Sequence, residues 1–275
     1  MRWRRRRRSP NLVDRRGAGG LSALQIGLAG AGIPGILLLV LLLVLNGAGD
    51  GSGDGRPVAP GAGEDERLVD FVSFVLDDVQ ATWDRTFEQA GRSYRPAKLV
   101  LFTQSTETGC GFATSEVGPF YCPPDETVYL DLDFFRELNR RFGAPGDFAQ
   151  AYVIAHEIGH HVQHLLGTSD RVHRESERNP QRANLLSVRL ELQADCFSGV
   201  WGHTTEERRL LEAGDIQEGL DAAAAVGDDR IQRQATGQTN PETWTHGSSE
   251  QRMHWFSRGF RTGNPESCDT FRGPV

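Results

Sequence analysis

The chain has 275 residues, enough for one sizeable domain with appendages. Its net charge of −7 is unevenly spread: residues 1–56 hold nine arginines and three acids, leaving 21 of the 30 basic and 34 of the 37 acidic residues in 57–275. That acidic remainder excludes nucleic-acid binding through a basic patch.

In chain order, residues 1–20 read as a disordered basic tail. Leu21 to Leu45 is a run of 25 uncharged residues, long enough to cross a bilayer and too long for the apolar region of a signal peptide. The expectation is a single-pass transmembrane helix over 21–45. The arginine cluster on its N-terminal side places that end in the cytoplasm and the rest of the chain outside the cell membrane. Residues 46–63, rich in Gly and Pro, read as a flexible linker, and 64–275 as the folded domain.

Within the domain, EDERLVDFVSFVLDDVQATWDRTFEQA carries Leu68, Phe71, Phe74, Val75, Val79 and Trp83 at helical spacing. AKLVLFT (97–103) reads as a strand, and TVYLDLDFF (127–135) as a strand turning into a helix. GAPGD breaks the chain before the next helix, with Asp147 as its candidate cap. A long helix is predicted over NPQRANLLSVRLELQADCFSGVWGH. Three shorter ones are predicted over TEERRLLEAG, DIQEGLDAAAAVGDDRIQRQA and SSEQRMHWFSRGF. The predicted fold class is α+β, mostly α, with a small sheet before the central helix.

That central helix, AYVIAHEIGHHVQHLL, holds His156, Glu157 and His160. Residues four apart share one helix face about 6 Å apart along the axis, so His156 and His160 can grip one Zn²⁺. Glu157, about 100° round the helix, reaches a metal-bound water as general base. His164 lies about 12 Å along the axis from His156, too far to join them. His161 and His164 read as surface or supporting residues.

A catalytic zinc needs a third protein ligand and an open position. Six residues after His160, where one zincin pattern places a third histidine, stands Leu166. ELQAD (191–195) supplies a carboxylate instead. Glu191 and Asp195 share a face flanked by Leu190, Leu192, Ala194 and Phe197, so they are expected to be buried and to need partners. Glu191 is the candidate third metal ligand. Asp195 is the candidate acceptor that orients a ligand histidine.

HEIGHHVQ followed by E-x-x-x-D on a second helix is similar to the gluzincin arrangement of thermolysin-type peptidases. More closely, the chain resembles the bacterial neutral zinc metallopeptidase family. The stretches that carry the resemblance are CGFATSEVGPFYCPPDETVYLDLDFF, AYVIAHEIGHHVQHLLG, RLELQADCFSGVW, DDRIQRQATGQ and THGSSEQRMHWFSRGF. It implies a zincin-like domain and a zinc site. The H-x₅-R spacing of His246 and Arg252 resembles a stretch after the glutamate helix of prenyl-protein-type membrane zinc peptidases. By that similarity His246 is an oxyanion donor and Arg252 a supporting cation. The plainer alternative is a helix capped by Ser248 or Ser249. Tyr121 and Tyr129 are further candidate donors. By the gluzincin analogy TVYLDL offers an edge to the substrate backbone, with a purely structural strand as the alternative.

Four cysteines lie beyond the apolar run. An even count there suggests two disulfides, and of three pairings the favoured one joins Cys110 to Cys122 and Cys196 to Cys268. The second would tie the C-terminus to the Glu191 helix.

The function expected is a membrane-anchored extracytoplasmic zinc metallopeptidase acting on a peptide or protein substrate. A noncatalytic zinc-stabilised envelope binding module is the rival reading, and Glu157 beside an open site argues against it. A zinc hydrolase of non-peptide amides shares the same water chemistry.

Overall fold

The computed structural model describes residues 1–4, 7–16, 62–140, 143–144 and 146–275. The expected membrane span over 21–45 lies outside the described residues, as does the linker up to residue 61. Among the described residues no helix is long and apolar enough to cross a membrane.

Helix α1 (Ala62–Gln89) buries Val69, Val72, Leu76, Val79 and Trp83, whose spacing alternates three and four and so forms one stripe. Trp83 closes that stripe edge-on against Phe197, with ring centroids 5.0 Å apart. A four-stranded sheet follows, in the order β1 (Leu12–Asp14), β2 (Lys98–Phe102), β6 (Thr127–Asp131), β5 (Phe120–Cys122). The β1–β2 and β2–β6 pairs are parallel, and β5 runs antiparallel to β6. β2 and β6 are buried at nearly every position because both faces of the central strands are covered. β3 (Ser105–Thr108) and β4 (Gly111–Thr114) form a separate hairpin, which the Cys110–Cys122 disulfide ties to β5. Asp131 ends β6 and accepts from the backbone N–H of Asp133, which starts α2 (Asp133–Arg140).

β6 is an interior strand, filled by β2 on one side and β5 on the other. Over Thr127–Tyr129 the backbone of TVYLDL is therefore paired on both sides and unavailable to a substrate.

Residues 1–4 and 7–16 are not the disordered tail that their charge suggests. The Met1 ammonium is buried and hydrogen-bonds to Asp147 at 2.7 Å and Asp215 at 3.3 Å. Trp3 packs on Phe71, with ring centroids 5.3 Å apart. Arg8 pairs with Asp70 at 3.0 Å and with Glu66, the Ser9 N–H donates to the Ser73 hydroxyl, and β1 joins the sheet. Arg8 and Arg16 thus find carboxylates on α1, and Arg2 lies 3.6 Å from Glu212. Strands of one sheet lie on one side of any bilayer. The pairing makes residues 12–14 part of the folded domain's own sheet.

The remaining helices are α3 (Asp147–Leu165), α4 (Thr168–Arg178), α5 (Ala183–Glu207), α6 (Asp215–Ala225), α7 (Asp228–Thr236) and α8 (Ser249–Thr262). Three expectations need correction. TEERRLLEAG is no separate helix: its start extends α5, and Arg209 at φ 58° turns the chain out of helical geometry. DIQEGLDAAAAVGDDRIQRQA is two helices, broken at Gly227. A Cβ there would lie 2.4 Å from the backbone nitrogen of Ser249. Nor does Asp147 cap α3. Gly146 holds that position, and the Asp147 carboxylate goes to Met1.

α5 and α8 cross closely at Gly199 and Gly259. A Cβ on Gly259 would sit 1.9 Å from the Cys196 carbonyl oxygen, which is backbone and cannot swing away. Gly259→Ala is expected to cost about 1–3 kcal/mol by overpacking, lowering Tm by roughly 2–12 °C at about 2–4 °C per kcal/mol. Thermal unfolding followed by circular dichroism checks this, and an unchanged Tm contradicts the crossing.

Candidate active site

α3 is buried almost all round, so polar residues on it must find partners inside the domain. It packs on α5 through Gly159, where a Cβ would lie 3.1 Å from the Ala194 backbone. That approach brings the α5 carboxylates to the α3 histidines. Glu191 Oε2 lies 3.2 Å from His156 Nε2, and Glu191 Oε1 lies 3.5 Å from His160 Nε2. The ligand atoms of His156, His160 and Glu191 all fall within 4.8 Å of one another. A tetrahedral zinc with bonds of about 2.0–2.1 Å has ligand–ligand edges of about 3.3 Å, so the two imidazoles and the carboxylate fit it. Burial opposes the charge on Glu191, but His160, His156 and His246 outweigh it, and the carboxyl sits well below its usual range. It is ionised and ready to ligate.

Asp195 behaves as the sequence suggests. It is fully buried, and its Oδ1 accepts from His156 Nδ1–H at 2.9 Å and from the Tyr152 hydroxyl. With Nδ1 committed to Asp195, Nε2 of His156 is the ring nitrogen left for a metal, 3.2 Å from Glu191 Oε2. Burial opposes ionising Asp195 too, but Arg252 and His156 hold its carboxyl below the usual value.

Arg252 is 2 % exposed, and it grips Asp195 twice, Nε to Oδ2 at 2.8 Å and Nη2 to Oδ1 at 2.9 Å. Arg252 Nη2 also donates to the Tyr152 hydroxyl at 3.2 Å. Its guanidinium fixes Asp195, and through it His156, and its Nη2 lies 3.9 Å from Glu191 Oε2 at the edge of the cluster.

Glu157 stands beside this cluster, 8 % exposed, with no hydrogen bond or ion pair among the described residues. Burial raises its pKa, and the neighbouring histidines temper the rise. A carboxyl so tuned takes up and releases a proton nearer neutral pH.

His246 is held by a residue not expected from the sequence. Buried Asp228 accepts from the His246 ring Nδ1–H at 3.0 Å. Its other oxygen accepts from the backbone N–H groups of Thr245, His246 and Gly247. One carboxylate thus fixes both the loop and the ring. His246 is also close enough to Glu191 to help stabilise its charge. The Ser248 capping box that starts α8 is present as well, so the capping alternative and the placement of His246 hold together. The two tyrosines are occupied: Tyr129 donates to Asp125 and Tyr121 to His161 Nδ1.

His161 is fully buried, between the Tyr121 hydroxyl and the Arg95 carbonyl, which accepts from Nε2–H at 2.6 Å. His164 is partly exposed, 3.6 Å from Glu126. Burial lowers the pKa of His161, so the folded state resists its protonation. The contribution of this neutral ring is whole above the unfolded pKa of about 6.5 and is lost as pH falls below it. Tm of the wild type is expected to fall between pH 6.5 and 5.5 more steeply than that of His161→Gln, and parallel curves contradict this.

Both expected disulfides are present, Cys110–Cys122 and Cys196–Cys268. Tyr152, Gln163, Gln193 and Asp228 are the site residues missed. Tyr152 and Gln163 carried a signal, four residues before His156 and three after His160 on the same helix.

Comparison with known proteins agrees with this geometry. The family model described as "Putative neutral zinc metallopeptidase" matches residues 1–271. The chain is 46 % identical over 290 residues to the uncharacterized protein YpfJ of Escherichia coli K12, covering 98 % of this chain and 99 % of that one. It is 52 % identical over 189 residues to the uncharacterized protein Rv2575 of Mycobacterium tuberculosis, covering 65 % and 63 % of the two chains. No solved structure matches.

Proposed function

The chain belongs to the neutral zinc metallopeptidase family, whose cofactor is Zn²⁺, and from the site geometry we propose that it hydrolyses peptide bonds in protein substrates. The observation that carries this is the pairing of a three-ligand cluster, His156, His160 and Glu191, with an unspent buried carboxyl, Glu157, beside it. A structural zinc site is closed by four protein ligands and has no use for such a base.

Zinc held there supplies Lewis acidity toward water and the scissile carbonyl. Glu157 takes a proton from the attacking water and delivers it to the leaving amine. His246, with Nδ1 turned to Asp228, presents Nε2 to the oxyanion and donates to it when the ring is protonated. Asp195, Tyr152 and Arg252 keep His156 in the ligating tautomer. The two disulfides support an extracytoplasmic, oxidising setting, and the apolar stretch 21–45 supports attachment to the cell membrane. In this reading the N-terminal segment shares the side of the domain.

The test is cleavage of a reduced, alkylated, unfolded protein by the purified full chain. Cleavage that a chelator abolishes and zinc restores supports the reading. Fully zinc-loaded protein that cleaves none of a panel of unfolded proteins would turn the reading toward a binding module.

A further inference from the structure

The two metal histidines are backed differently. Behind His156 stands a carboxylate. Behind His160 stands a neutral amide: His160 Nδ1 lies 2.9 Å from Gln163 Oε1, and Gln163 is fully buried. Gln163 Nε2 donates to the Leu190 carbonyl at 2.7 Å and to Gln193 Oε1 at 3.2 Å. Gln193 Nε2 donates in turn to the Cys268 carbonyl at 3.0 Å. Cys268 is bonded to Cys196, which lies on the same helix as Glu191 and Gln193.

The direction of this chain is fixed by chemistry. A backbone carbonyl only accepts, so the Cys268 carbonyl must face the amide nitrogen of Gln193, and the Leu190 carbonyl that of Gln163. The oxygen of Gln163 is then left for His160, whose Nδ1 must carry the proton. Its Nε2 is left with the lone pair, 3.5 Å from Glu191 Oε1. Two carbonyls thus determine the tautomer of a histidine that neither touches.

We propose that Gln163 and Gln193 are positioning residues for the zinc, and that the Cys196–Cys268 disulfide anchors their relay by holding the Cys268 carbonyl in place. The proposal rests on the reading of His160 as a zinc ligand and adds a part of the molecule to the metal centre. The C-terminal arm contributes no ligand, yet it sets the affinity of one. Arg189 secures the same arm by donating to the carbonyls of Thr270 and Gly273.

The experiment compares the full-length wild type with Gln163→Met, Gln193→Met and the Cys196→Ser/Cys268→Ser pair, methionine being chosen to keep side-chain volume. Zinc affinity is read by competition with a fluorescent chelator. The His160 tautomer is read from long-range ¹H–¹⁵N spectra with and without zinc. Gln163→Met is expected to weaken zinc binding about tenfold or more and to abolish the fixed Nδ1–H form. Gln193→Met and the serine pair should each weaken zinc binding severalfold, and in combination should cost little more than either alone, since both cut one relay. Wild-type affinity and tautomer in a folded Gln163→Met overturn the relay. Fully additive losses in the combined variant overturn the anchoring role of the disulfide. A wild type that takes up no zinc overturns the reading of His160 as a ligand, and the tautomer spectra of the metal-free chain then decide the relay alone.

Discussion

Glu157→Gln is expected to lower peptide hydrolysis by about 10²–10⁴-fold, the span that a positioned general base contributes. Zinc content should remain at the wild-type level. The two effects separate because Glu157 lies outside the ligand cluster and makes no hydrogen bond or ion pair among the described residues. Glutamine keeps the shape and removes the ability to accept a proton. The substitution also removes a carboxyl that burial pushes toward its neutral form, so the folded protein should be no less stable than the wild type. Single-turnover cleavage of an unfolded protein, with metal content and Tm measured on the same sample, checks all three statements. Activity within a few-fold of wild type would remove Glu157 from the chemistry.

Asp195→Ala is expected to have the largest effect on stability and to damage the metal site at the same time. Asp195 is wholly buried and takes hydrogen bonds from His156, Tyr152 and the Nε and Nη2 of Arg252. Truncation leaves the Arg252 charge buried without its main counter-ion. Breaking a buried pair from one side costs about 3–5 kcal/mol, or roughly 6–20 °C in Tm for a domain of this size. It also frees the His156 ring to turn, which is expected to weaken zinc binding by about 10–100-fold. The double variant Asp195→Leu/Arg252→Met should recover much of the lost stability, because no buried charge is left over, and none of the zinc affinity. Recovery of both together would mean that Asp195 serves packing and not the orientation of His156.

What was legible in the sequence follows from periodicity and local chemistry. That α1 is an amphipathic helix shows in the spacing of its apolar residues, although Leu68 and Phe74, read as part of the stripe, are only half-buried and Val69, Val72 and Leu76 carry it instead. His156 and His160 show because four residues return a helix to one face, and Glu191 and Asp195 for the same reason on α5. The misses are contacts between elements distant in the chain. Arg252 reads as a free cation until α8 is laid against α5, where Gly199 and Gly259 let it reach Asp195. Asp228 reads as one more polar residue inside a single helix until that helix breaks at Gly227 and the 245–247 loop closes over it. Gln193 has no signal at all, because its partner is a backbone carbonyl 75 residues away. The N-terminal segment was misread for a related reason: its arginines answer carboxylates on α1, and β1 is too short to announce itself. Charge density predicted a solvated tail where complementary charge on another element makes a docked one.

Metal content of the folded full chain, measured beside Glu191→Ala, tests the centre of the account most directly. One zinc per wild-type chain is expected, with a much weaker hold in the variant at unchanged fold. A folded wild type that takes up no zinc, or a Glu191→Ala that keeps it with wild-type affinity, would contradict the assignment of His156, His160 and Glu191 as the metal centre.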